Sequence, residues 1–148
     1  MILQILPCQV KQFWGMIAYA VYKAMPPETP LDAPDSMNFL LEGLLRGDIQ
    51  AWAGMDDEKK TIVGICVTTF TYDLVSKAKN LLIFAVHSYA NTPISRNMWG
   101  DGYQVLKQYA RANDCYALVL YTKEQRLVEI SERFPGCNTS FVCSLPVW

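Results

Sequence analysis

From Asn97 to Asp114 the chain reads N-M-W-G-D-G-Y-Q-V-L-K-Q-Y-A-R-A-N-D, a glycine-bearing turn that runs into a stretch with the apolar spacing of an amphipathic helix. An apolar, strand-like run from Asn80 to Tyr89 precedes it, and a second from Cys115 to Thr122 follows. A strand, helix, strand unit of this length is the usual right-handed link between parallel strands. The two runs are therefore expected to lie side by side and parallel, bridged by a helix over Gly100 to Ala112. A turn at the positive end of a helix offers free backbone N–H groups, which suits an anion such as a diphosphate.

Working outward, Ile2 to Leu6 reads as a short first strand. Val10, Phe13, Ile17, Val21 and Ala24 then recur at helical spacing from about Gln9 to Met25. P-P-E-T-P-L-D-A-P-D-S breaks the pattern, with Asp35 or Ser36 placed to cap a second helix over Met37 to Arg46 that Gly47 stops. Ile49 to Met55 and Thr61 to Asp73 read as strands joined by the polar turn D-D-E-K-K, an antiparallel hairpin. Beyond Thr122, Leu127, Ile130 and Phe134 share one face of a helix over Glu124 to Phe134. A Pro135-Gly136 break and a last strand from about Ser140 to Leu145 complete the chain. The order β-α-α-β-β-β-α-β-α-β predicts an α/β protein with a mixed sheet and helices on both faces, one domain over residues 1–148.

Composition narrows the function. A net charge of −1, with charges interspersed along the 148 residues, gives no basic face for nucleic acid. No apolar run approaches membrane-spanning length, and the opening M-I-L-Q-I-L-P-C has no basic leader, so a soluble, cytoplasmic protein is expected. Five cysteines without C-x-x-C spacing argue against a disulfide framework or a metal site, and Cys66 and Cys115 read as buried apolar residues.

The element order, the long antiparallel centre and the Asn97 to Gly102 stretch resemble the GNAT superfamily of acyl-CoA-dependent N-acyltransferases over nearly the whole chain. Its phosphate-binding signature is Gln or Arg, two residues, Gly, one residue, then Gly or Ala. Asn97, Gly100 and Gly102 match it with Asn in the first place, and Arg96 stands one residue earlier. A-x-x-N-x-C before an apolar strand, with R-F-P-G after the last helix, is similar to the family's ending. The chain departs from the pattern in the S-Y-A-N-T-P-I-S-R insertion before the signature and in Phe134, near which many members carry a tyrosine as general acid. Compact versions of the fold among phage and mobile-element proteins also resemble this chain.

The resemblance implies acetyl-CoA, or another acyl-CoA, as co-substrate and direct transfer to a small-molecule or protein amine, with a homodimer among the expected assemblies. A catalytically silent binding or interaction module is the rival expectation. The amides of Gly100, Asp101 and Gly102 would hold the diphosphate beside Arg96 and Asn97, and the pantetheine arm would pair with the backbone of Phe84, Ala85 and Val86 like an added strand. His87, the only histidine, ends the central strand, and an imidazole titrating near neutrality suits a general base, although a strand histidine also serves structure. Tyr121, which ends the next strand, and Tyr89 are the candidates for the acid that Phe134 cannot be. Glu28, Asp32 and Asp35 in the proline-rich stretch are candidates for attracting a cationic acceptor, and Trp99 for covering a ligand.

Overall fold

The computed structural model describes residues 1–25, 35–89 and 95–147. Five strands form one sheet in the order β1-β2-β3-β4-β5. β1 (Ile2–Ile5), β2 (Ile49–Met55), β3 (Ile62–Tyr72) and β4 (Lys79–Ser88) are antiparallel neighbours, and β5 (Ala117–Leu120) joins β4 in parallel. The parallel pair expected from the two apolar runs is present, with Asn80 opposite Ala117 and Ile83 opposite Leu120.

Helices α1 (Val10–Ala24) and α2 (Ser36–Arg46) cover one face of the sheet, where Ile17, Val21 and Leu44 pack on Ala51, Ile65 and Val67. Helices α3 (Arg96–Ala112) and α4 (Gln125–Ser131) cover the other, where Leu106, Ala110 and Leu127 meet Trp52, Leu81 and Ile83. Gly47, at φ 83°, ends α2 in the left-handed conformation that a side chain disfavours. Gly43 lets α2 sit close on β2, since a Cβ there would meet the Ile49 side chain at 2.5 Å. A buried polar chain ties β2 to β3: Trp52 Nε1 donates to Thr68 Oγ1, whose hydroxyl donates to Gln50 Oε1. Each buried donor thus has its acceptor, which avoids the cost of an orphaned polar group.

β4 carries the irregularity that shapes the rest of the molecule. Ala85 pairs with Val67 but Ile83 pairs with Thr68, so Phe84 is an extra residue, a β-bulge. Leu81 and Ile83 face α3 and α4, whereas Phe84 and Ala85 both pack towards α1 and α2. A bulge resets the two-residue alternation of a strand. Without it His87, an even number of positions after Leu81 and Ile83, would face α3.

Two sequence expectations are corrected. The helix after the signature opens at Arg96, capped by Ser95, whose Oγ accepts from the Met98 amide at 3.0 Å. Asn97 to Gly102 is therefore the first turn and a half of α3, not an open turn before it. Ser95 is a strong N-cap and fixes the start early, over the helix-weakening glycines. The expected last strand over Ser140 to Leu145 is absent: residues 137–147 have no regular secondary structure and are exposed. Glu28 and Asp32 lie outside the described residues, and Asp35 is exposed at the N-cap of α2.

Candidate functional site

Beyond Ile83 the sheet opens. β5 ends at Leu120 and the Tyr121 amide bonds to the Ile83 carbonyl at 2.9 Å, but β4 continues for five more residues. Among the described residues Ala85 to His87 pair with β3 alone, and the bulged Phe84 pairs with neither neighbour. The three residues expected to face a pantetheine arm, Phe84, Ala85 and Val86, thus lie where β4 has lost β5, starting at the bulge.

His87, turned by the bulge, meets two aromatic rings. Its imidazole stands edge-on to Tyr19 of α1, centroids 5.4 Å apart, and edge-on to Tyr89, 5.0 Å apart. Partial burial lowers the His87 pKa below the ordinary imidazole value, and the nearby Lys23 charge lowers it further, with Glu124 opposing. The shift favours the neutral ring, which has a lone pair to accept a proton. Lys23 lies over the Tyr19 ring, its Nζ 5.6 Å from the centroid. Behind His87, Gly64 permits the close approach of β3, since a Cβ there would sit 3.0 Å from the His87 carbonyl oxygen.

The two tyrosine candidates separate. The Tyr89 hydroxyl donates to the Met16 carbonyl of α1, and burial followed by the neighbouring Tyr19 pushes its pKa up to about 12. That bond ties β4 to α1 and engages the proton that an acid would give. Tyr121 stands at the rim where the strands part and is 56% exposed. Phe134 stacks on Tyr103, centroids 4.1 Å apart, and joins α4 to α3. Trp99 is buried and its Nε1 donates to Ser131 Oγ at 3.1 Å, so it clamps α4 instead of covering a ligand.

At the start of α3, helical geometry leaves the Arg96 and Asn97 amides without intrahelical acceptors, while Trp99 already bonds back to the Ser95 carbonyl. From there on the amides of Gly100, Asp101 and Gly102 fall within the hydrogen-bond ladder of the helix. The glycines have another property. A Cβ at either would meet nothing within 4 Å, so packing does not require glycine at these helical positions. Gly100 lies one turn from Arg96 on the same face. Gly102 borders an apolar cavity of about 50 Å³ between α3 and the sheet, lined also by Trp52, Cys66, Val86, Met98 and Trp99. The Cys66 thiol is pushed up to about 12 by burial, so it is inert there.

No family model and no curated protein matches the sequence. Solved structures match its fold. A crystal structure of a probable acetyltransferase superposes with a TM-score of 0.66 at 17% identity, over 100% of this chain and 98% of the other. A putative acetyl transferase from Pyrococcus furiosus gives a TM-score of 0.64 at 15% identity, over 99% of each chain. This is the GNAT acetyltransferase fold. An AAC(6')-Iy structure in complex with the bisubstrate analogue CoA-S-monomethyl-acetylneamine shares it, with a TM-score of 0.70 at 12% identity, over 99% of this chain and 96% of that one.

Sequence reasoning named His87 and the Phe84 to Val86 segment but missed Tyr19, Lys23 and Gly64. Tyr19 and Lys23 are four apart on the flank of α1 beside the buried Val21, and that spacing was the available signal. Gly64 inside a strand was the other, since such a glycine often marks a close backbone approach. Among the described residues no helix is long and apolar enough to cross a membrane.

Proposed function

We propose that this protein is an acyl-CoA-dependent N-acyltransferase that moves an acetyl or similar group directly from the thioester to an amine. The observation that carries the reading is the parting of β4 from β5 at Ile83, with the His87 imidazole turned to the α1 side beyond it. A pantetheine arm running along Phe84 to Val86 would find backbone groups to pair with there. The acceptor would approach between α1 and β4, against Tyr19 and His87. His87 would take the proton from the ammonium, and the freed amine would attack the thioester carbonyl. The departing thiolate would take its proton from Tyr121 or from solvent. The bond made is C–N and the bond broken is C–S, so the products are an amide and free CoA.

The diphosphate is assigned to the Arg96 and Asn97 amides and the Arg96 guanidinium at the positive end of α3, in place of the Gly100 to Gly102 amides. The open space at Gly100 supports this, because a bulky ligand can lie along that face of the helix. Two solved neighbours, both of AAC(6')-Iy, hold CoA or a CoA bisubstrate analogue, and others are an aminoglycoside acetyltransferase in complex with sisomicin and a ribosomal-protein-alanine N-acetyltransferase. A small-molecule or protein amine is accordingly the acceptor class. A silent binding module is the second reading, favoured by the engaged Tyr89 hydroxyl and the absence of a hydroxyl on Phe134.

Calorimetry with acetyl-CoA tests the binding half, with about 4 to 8 kcal/mol expected, in the micromolar to submillimolar range. Gly100→Glu should abolish it, because the new carboxylate fits sterically, lies one helical turn from Arg96 and would pair with it. Equal binding by the two proteins would remove α3 from the site. Thiol release over a panel of amines tests the catalytic half: a background rate with acetyl-CoA demonstrably bound selects the silent module.

A further inference from the structure

Beneath the first turns of α3 lies the apolar cavity of about 50 Å³ that Gly102 borders. The polar groups of the indole and thiol side chains on its walls are not free. Trp52 Nε1 donates to Thr68 Oγ1, Trp99 Nε1 donates to Ser131 Oγ, and burial keeps Cys66 as the neutral thiol. A water there would lack hydrogen-bond partners, so an apolar occupant fits the space. Packing does not account for it. Protein interiors rarely keep a void larger than a water, yet Gly102 is buried and a Cβ there would meet nothing within 4 Å. An alanine would fill part of the void and favour the helix.

Position gives the cavity a use. Val86 and His87 both line it, and a pantetheine arm running along Phe84 to Val86 would bring its thioester to the same place. Val86 packs on the α3 face of the sheet, where Met98 and Trp99 close the cavity, whereas the His87 ring meets Tyr19 on the α1 face. A chain carried on the thioester carbonyl can thus turn into the cavity without crowding an amine that approaches from α1. The volume sets its length. An engineered apolar cavity of about 150 Å³ admits the six carbons of benzene, so about 50 Å³ admits about two carbons.

We infer that this cavity receives the end of the acyl chain, and that the group transferred is a short aliphatic acyl of about four carbons, longer than acetyl. The inference rests on the acyl-transfer reading and names its donor. The step keeps its balance: the ammonium proton passes to His87, the amine nitrogen bonds the acyl carbon and the C–S bond breaks. The thiolate is protonated by Tyr121 or solvent, and a butyryl-type amide and free CoA leave.

Calorimetry and thiol release over acetyl-, propionyl-, butyryl- and octanoyl-CoA decide it. Affinity should rise about fourfold for each carbon from acetyl to butyryl, the gain from burying one methylene, and fall for octanoyl, which overruns the space. Cys66→Leu fills the cavity and should turn the preference to acetyl-CoA. Cys66→Ala enlarges it and should move the optimum to a longer chain, and it carries the comparison alone if Cys66→Leu fails to fold. Equal binding of acetyl- and butyryl-CoA, or an order of preference that the Cys66 variants leave unmoved, overturns the acyl pocket and leaves acyl transfer standing. Butyryl-CoA that binds more tightly yet releases no thiol overturns the transfer and keeps the pocket. Binding of no acyl-CoA of any length overturns both.

Discussion

The two halves of β4 are built from similar residues and do different things. From Lys79 to Ile83 the strand has β3 on one side and β5 on the other, its inward side chains Leu81 and Ile83 are buried, and nothing polar interrupts it beyond Asn80. From Phe84 to Ser88 it keeps β3 but loses β5, changes face at the bulge and ends on an imidazole among tyrosines. The first half is stabilised by its neighbours on both edges. The second is held by β3 and by aromatic contacts to α1, and its backbone groups are where a ligand can add. The contrast teaches that one inserted residue, Phe84, is enough to turn a core strand into the wall of a cleft.

The largest expected effect tests the paired half. Leu81→Ala removes a fully buried side chain from beneath α3 and should cost about 2 to 5 kcal/mol in urea unfolding. Val86→Ala, in the unpaired half, already borders a cavity and should cost clearly less. Similar losses at the two positions would break the comparison.

The next tests the unpaired half. His87→Ala should lower thiol release at least about tenfold, against the hundredfold to ten-thousandfold usual for acid or base catalysis, while the urea midpoint changes little. Full activity in this variant would return His87 to a structural part. Tyr89→Phe should do the converse, removing the bond to the Met16 carbonyl for about 0.5 to 1.5 kcal/mol of stability and leaving turnover intact. A loss of turnover without a loss of stability would restore Tyr89 as the acid.

Gly102→Ala should move stability and binding in opposite directions. The added methyl meets open space at the cavity and improves helix propensity, so unfolding should become harder by about 0.5 to 1 kcal/mol. If the face of α3 approaches acetyl-CoA, its affinity should fall. A variant that is both more stable and equally tight-binding would detach the glycines from the ligand.

The smallest effect is in pH. His87 has a folded pKa below its unfolded value, so the unfolded chain binds the proton more readily and stability must fall as pH drops from the unfolded value of 6.5 towards the folded one. The acid limb of kcat/KM should likewise lie below the ordinary imidazole range. Lys23→Met removes a cause of the depression, so that limb should move to higher pH. No movement would place Lys23 too far from the ring to matter.

Much of the fold was legible in sequence because it rests on local periodicity. Ile49 to Met55 extends and pairs antiparallel with the next strand as expected, Gly47 stops its helix, and the apolar runs around α3 lie parallel. Part of the site was legible for the same reason, since His87 ends the strand where the cleft opens. The reading failed at Asn97 to Gly102, where glycines suggested a turn and the Ser95 cap imposed a helix. It failed again at Ser140 to Leu145, where a strand-forming sequence pairs with no strand of its own chain.

By itself, then, the sequence determined which segments extend, which coil and which faces are apolar, because these follow from neighbours a few residues away. Tertiary structure decided the rest. The bulge that gives Phe84 no partner on β3 exists only in the pairing with Val67 and Thr68, and it is what turns His87 to Tyr19 and Lys23. The lowered imidazole pKa, the bound Tyr89 hydroxyl and the open edge of β5 all depend on residues distant in the chain meeting in space, which no spacing rule can express.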